Sequence, residues 1–261
     1  MRPPLPTPHP FTGLDLATLL EQRAQATPDK PFLIWCPAEG PSRTWTYAGF
    51  AEKAARIAGG LAARGVRAGD RVLVQLENGP EVLLMLFACA RLGAVHVSVN
   101  PAAAGPELTW FAELSGAVAA ITEPKFAANF QAHCPALRWV AVVGEASFRD
   151  LSAEPLPLRE PDPTASVLVM FTSGTTSRPK GVLWTHANTL WGGRLGAMHQ
   201  ALRADDVYQI FLPLFHVVGL SWSFLPALWA GNTVVLQPRF SASRYWPAAV
   251  EHGSTVGSQV I

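Results

Sequence analysis

Between residues 71 and 144 one pattern repeats: a short apolar run without polar alternation, then a stretch with helical spacing, then another apolar run. RVLVQLE (71–77), AVHVSV (94–99), AVAAIT (117–122) and RWVAVVG (138–144) read as strands, with helices expected over 80–92, 107–114 and 125–133 between them. Strands that are apolar on both faces need cover on both. The alternation therefore predicts an α/β fold, a mostly parallel sheet flanked by helices and joined by right-handed crossovers. Upstream, 14–26 and 47–64 have helical spacing, and PFLIWC (31–36) and RTWTY (43–47) are short strands. Downstream, strands are expected over 166–171, 181–186, 207–212 and 232–237, and helices over 188–200, 217–229 and 242–251. STVGSQVI (254–261) opens one more strand, so the fold is expected to be incomplete at its C-terminus. Residues 1–13 read as a flexible tail, 14–261 as the body, and 145–165 as a connecting loop.

The totals narrow the function. The chain has 261 residues, 49% hydrophobic and 15% charged, which excludes disordered and fibrous classes. A net charge of +1 offers neither a nucleic-acid surface nor a polybasic membrane patch. Cys36, Cys89 and Cys134 are odd in number and lack C-x-x-C spacing, which argues against a disulfide framework or a zinc site and for a reducing, cytoplasmic setting. The start of the chain has no apolar signal segment. Two long apolar runs, 82–99 and 211–237, resemble membrane spans. Arg91 and His96 interrupt the first; Pro213, Pro226 and Gly231-Asn232 cut the second, so no membrane span is expected.

The densest polar cluster lies in FTSGTTSRPKGVLWTH (171–186). Thr172, Ser173, Gly174, Thr175, Thr176 and Ser177 are all hydroxyl-bearing or glycine, and Lys180 stands between Pro179 and Gly181. Lysine occurs elsewhere only at Lys30, Lys53 and Lys125. A loop of small residues between two strands can turn its N–H groups toward one point. Hydroxyl donors and one compact cation then suit a polyphosphate. An ordinary turn seldom holds so many hydroxyls beside a Pro-Lys-Gly. The G-x-x-x-x-G-K-[ST] signature is not met: Gly181 follows Lys180, and a strand follows the loop, so no helix dipole faces the phosphates.

This segment resembles the phosphate loop of the adenylate-forming superfamily, with Ser177 where glycine is usual. The segments at 43–81, 91–101 with Glu107-Leu108, and LPLFHVVGL (212–220) are similar to that family in order and spacing. Within it, the segments at 201–220 and 234–256 most resemble crotonobetaine/carnitine–CoA ligases.

The resemblance implies the N-terminal part of an ATP-dependent acyl-CoA ligase. Such an enzyme joins a small-molecule carboxylic acid to coenzyme A through an acyl-adenylate, with Mg2+ accompanying the ATP. It also implies that Thr172, Ser173, Gly174, Thr175, Thr176 and Lys180 hold the outer phosphates. Lys180 would steady the departing pyrophosphate, and His216 would border the acyl pocket, with Gly219, Ser221 and Trp222 following on the same segment. Taken alone, a histidine between apolar residues reads as a core residue. Arg178 reads as a solvated charge at the loop tip; Asp70, Asp205 and Asp206 read as turn residues. The family's adenine-binding aromatic-Gly-x-Thr-Glu segment, its ribose-holding Asp and the lysine of its small C-terminal domain find no match. Two functions follow: part of an acyl-CoA ligase that is poorly active alone, or a non-catalytic remnant acting as a weak nucleotide-binding or interaction module. An apolar sheet edge makes homo-oligomers a further expectation.

Overall fold

A computed structural model describes residues 9–172 and 178–259. In chain order it holds α1 (Leu16–Ala26), β1 (Pro31–Trp35), β2 (Arg43–Thr46), α2 (Tyr47–Ala63), β3 (Arg71–Gln75), α3 (Pro80–Leu92), β4 (Val95–Ser98), α4 (Pro106–Ser115), β5 (Ala119–Thr122) and α5 (Pro124–His133). There follow β6 (Trp139–Val142), α6 (Ala146–Arg149), β7 (Ser166–Thr172), β8 (Lys180–Thr185), α7 (His186–His199) and β9 (Val207–Ile210). A π-helical stretch (Val218–Phe224) leads into α8 (Leu225–Ala230), β10 (Thr233–Leu236), α9 (Ala242–His252) and β11 (Val256–Gly257).

The α/β alternation is as expected, but the strands form two sheets rather than one. Their orders are β11-β9-β10-β1-β2 and β6-β5-β3-β4-β7-β8. Pairing is parallel except at β1–β2 and β7–β8, which place an antiparallel strand at one edge of each sheet. Helix α3 is buried on nearly all sides, in a core that also draws Leu33 and Val234 from one sheet and Val72 and Leu168 from the other. Phe32, Phe50, Phe87 and Phe224 meet there in edge-to-face pairs with centroids 4.9–6.2 Å apart. The second sheet's other face is covered by Leu108 and Phe111 of α4 and Phe130 of α5. Within the expected tail, residues 10–13 form a turn and Phe11 is buried edge-on to Trp191, 5.0 Å between centroids.

Three local expectations need correction. The strand read to His186 stops at Thr185, whose hydroxyl caps α7 reciprocally with Asn188, so His186 opens a helix instead. The loop at 145–165 contains the single turn α6. The helix read at 217–229 is π-wound in its first half. Pro226 has no N–H and its ring excludes the carbonyl four residues back; Trp222 O accepts from Gln200 Nε2 at 2.8 Å instead. Among the described residues no helix is long and apolar enough to cross a membrane.

The His186 ring is buried between three segments. Nδ1 accepts the Leu16 N–H at 3.1 Å, and Nε2 lies 3.1 Å from Arg159, which also pairs with the buried Asp15. Burial pushes its pKa down to about 4, with Asp15 opposing the shift and Arg159 adding to it. Burial likewise pushes His96 down to about 3. Both rings stay neutral in the fold, whereas the unfolded chain takes up protons below about pH 6.5. Stability is therefore expected to fall as pH drops from about 6.5 toward 4, by roughly 2 kcal/mol from His186 alone at pH 5. Urea unfolding across that range checks this: a flat profile contradicts it, and His186→Gln should make the decline shallower.

Candidate active site

The β7–β8 hairpin sets the site. Its register pairs Leu168 with Trp184, Met170 with Val182, and Thr172 with Lys180. Side chains alternate across a strand, so these six residues share one face, while Val169, Phe171 and Leu183 fall on the other. Both Thr172 and Lys180 are exposed, at the loop end of the hairpin, where Thr172 Oγ1 lies 3.5 Å from Lys180 O. Ser173, Gly174, Thr175, Thr176 and Ser177 lie outside the described residues.

Opposite this face stands the segment from Leu212 to His216. Asn78, buried just beyond β3, donates through Nδ2 to the carbonyls of Leu212 at 3.0 Å, Gln237 at 3.2 Å and Phe211 at 3.3 Å; its Oδ1 accepts the Leu214 N–H at 2.8 Å. One amide thus ties the second sheet to the ends of β9 and β10. The segment then turns tightly, with His216 N–H donating to Pro213 O at 3.1 Å and Leu220 N–H to His216 O at 3.0 Å. Only glycine fits at 219: a Cβ there would stand 2.2 Å from Pro213 O.

This turn presents His216 to solvent rather than to the core. Its Nδ1 faces the Val218 N–H at 3.4 Å, which favours a proton on Nε2 and leaves that atom as a donor. His216 and Val217 line a cavity of about 320 Å³ together with Met170, Phe171, Thr172, Val182 and Trp184. Gly219, Ser221 and Trp222 are not among its lining residues, and Trp222 is half exposed. Thr172 and His216 therefore meet at one concavity. Lys180 pairs with Thr172 in the register but does not line this cavity; it borders a second one, of about 630 Å³, on the hairpin's other face.

The other lysines are engaged elsewhere. Lys30 donates to Gly231 O at 2.6 Å, Lys53 lies 5.8 Å from the centre of the Trp45 ring, and Lys125 pairs with Glu77 and Glu123 at 2.7 and 3.1 Å. Arg178 is not merely solvated: its guanidinium lies 4.8 Å over the Trp110 ring. The acidic residues read as turn formers hold turns, Asp70 Oδ2 accepting the Arg67 N–H and Asp206 Oδ2 the Arg203 N–H, while Asp205 lies exposed in the same turn. Sequence reasoning passed over Asn78 and Trp110. Nothing local marks Asn78, because its partners lie more than 130 positions away.

A family model described as AMP-binding enzyme matches residues 20–260. The chain belongs to the AMP-binding enzyme family. Crotonobetaine/carnitine–CoA ligase of Salmonella heidelberg is 34% identical over an alignment that covers 94% of this chain and 50% of that protein. The apo structure of Mycobacterium smegmatis MbtA is 33% identical with a TM-score of 0.86, covering 95% of this chain and 48% of its own. O-succinylbenzoate coenzyme A synthetase (MenE) of Bacillus subtilis, in complex with AMP, is 31% identical with a TM-score of 0.82, over 92% of this chain and 61% of its own. The chain spans about half the length of the curated relatives it matches.

Proposed function

We propose that this chain supplies the outer-phosphate clamp and acyl pocket of an ATP-dependent acyl-CoA ligase. A carboxylate attacks the α-phosphorus of ATP and pyrophosphate leaves; the thiol of coenzyme A then attacks the acyl carbon and AMP leaves. Several negative charges meet in the first step, so the protein's task is positioning and charge stabilisation. Thr172, Ser173, Gly174, Thr175, Thr176 and Lys180 hold the β- and γ-phosphates. His216 borders the carboxylate near the α-phosphate, its Nε2–H available as a donor. Mg2+ would offset phosphate charge when it enters with ATP. Among the described residues no three or more His, Cys, Asp or Glu gather in one group. The acyl group would lie on Met170, Val182, Trp184 and Val217. Three buried, unpaired thiols suit a reducing, cytoplasmic setting.

One observation carries this reading: the strand that enters the hydroxyl-rich loop and the histidine segment line the same cavity. Its test is carboxylate-dependent exchange of pyrophosphate into ATP by a chimera joining residues 1–259 to the C-terminal half of the Salmonella relative. Exchange with at least one acid supports the reading; a folded chimera inert toward every acid tried contradicts it. The half-length match favours a second reading for the chain alone, a weak nucleotide-binding module, which predicts binding with little or no exchange.

A further inference from the structure

We propose that Trp110 of α4 is a positioning residue for Lys180, fixing the exit of the phosphate loop; this rests on the reading of the hairpin as a phosphate clamp. Trp110 Nε1–H donates to Pro179 O at 3.0 Å, and its ring carries the Arg178 guanidinium at 4.8 Å. The next residue, Phe111, is buried and stacks on Phe171 of β7 with 4.1 Å between centroids. Helix α4 thus holds β7 and the residue that enters β8 with adjacent side chains.

The contact at Pro179 acts directly on Lys180. The carbonyl of residue 179 and the N–H of residue 180 belong to one planar peptide unit, so fixing the first orients the second. Pro179 restricts its own φ, and Lys180 is the first residue of β8, paired to Thr172. Little backbone freedom then remains at the Cα from which the ammonium group extends. A cation fixed before its ligand arrives loses less entropy on binding. Arg178, stacked rather than free, is drawn toward the α4 side and away from the Thr172 face, where it would otherwise compete for phosphate.

The test uses the chain's short list of lysines. Reductive methylation with 13C-formaldehyde labels Lys30, Lys53, Lys125, Lys180 and the N-terminus, and loss of one signal in Lys180→Arg assigns Lys180. In the wild type, magnesium pyrophosphate should move the Lys180 signal and leave the other three lysines in place. Trp110→Ala should shift the Lys180 signal already in the free protein and raise the titration midpoint about tenfold, from the loss of one hydrogen bond and one cation–π contact. Trp110→Phe, which keeps a ring but no N–H donor, should give a smaller rise of about threefold. Unmoved signals from Lys30, Lys53 and Lys125 separate this from loss of fold. If the wild type titrates and both variants match it, the proposal is overturned and the clamp stands. If the wild-type Lys180 signal stays still at saturating magnesium pyrophosphate, clamp and proposal fail together.

Discussion

Replacing Asn78 by leucine should destabilise the protein by about 4 kcal/mol, although the two side chains are similar in volume. Leucine can answer none of the amide's contacts: the Leu214 N–H and the carbonyls of Phe211, Leu212 and Gln237 all lose a partner. A buried group left unsatisfied costs about 1–3 kcal/mol, and some of these four would recover water, which sets the total near 4 kcal/mol. For a chain of this length that corresponds to a fall in Tm of about 10 °C or more. Asn78→Asp should be no milder: it keeps the acceptor for Leu214 but turns a negative charge toward three carbonyl oxygens. Urea and thermal unfolding of both variants check this. A loss below about 1 kcal/mol would mean that the amide does not hold the two sheets together.

The second large effect is expected from Gly219→Ala. The added Cβ would stand 2.2 Å from Pro213 O, 2.6 Å from Pro213 C and 2.7 Å from Leu212 O. These are backbone atoms, so no rotamer change relieves the clash, and the segment from Leu212 to Gly219 must open. A cost of about 3 kcal/mol is expected. The opening also moves His216, whose N–H and C=O are both bonded within this turn. Two readouts should change together: a lower melting temperature and a displaced His216 ring resonance in a histidine-labelled NMR spectrum. A lower Tm with an unmoved His216 signal would show that the turn yields elsewhere and does not set the histidine's position.

These two residues also mark the limits of the sequence reading. Local chemistry was legible where it is written locally. Helix α3 runs from Pro80 to Leu92 as read, because Pro80 fits its first turn and Gly93, at φ 80°, ends it. The hairpin was legible from two apolar runs flanking a dense hydroxyl cluster, but Thr172 and Lys180, expected in the loop, instead close its two strands and pair across it. The division into two sheets was not, since β1 pairs with β10 from some 200 residues away and neither strand carries a mark of its partner. The π-wound stretch was hidden for a different reason: Pro226 was seen as a break in a run, but its effect depends on Gln200 being near enough to take the freed carbonyl. Arg178 looked solvated because the ring beneath it belongs to a helix almost 70 residues earlier.

The central claim is that the hairpin carrying Lys180 binds the outer phosphates of ATP. The most direct measurement is the affinity of the 261-residue chain for Mg·ATP, by calorimetry, in the wild type, Lys180→Ala and Lys125→Ala. Removing a cation that contacts phosphate should weaken binding about tenfold or more. Lys125, occupied by Glu77 and Glu123, should be replaceable without loss of affinity. Wild-type binding that Lys180→Ala weakens and Lys125→Ala does not is the predicted result; equal affinity in the wild type and Lys180→Ala would contradict the account.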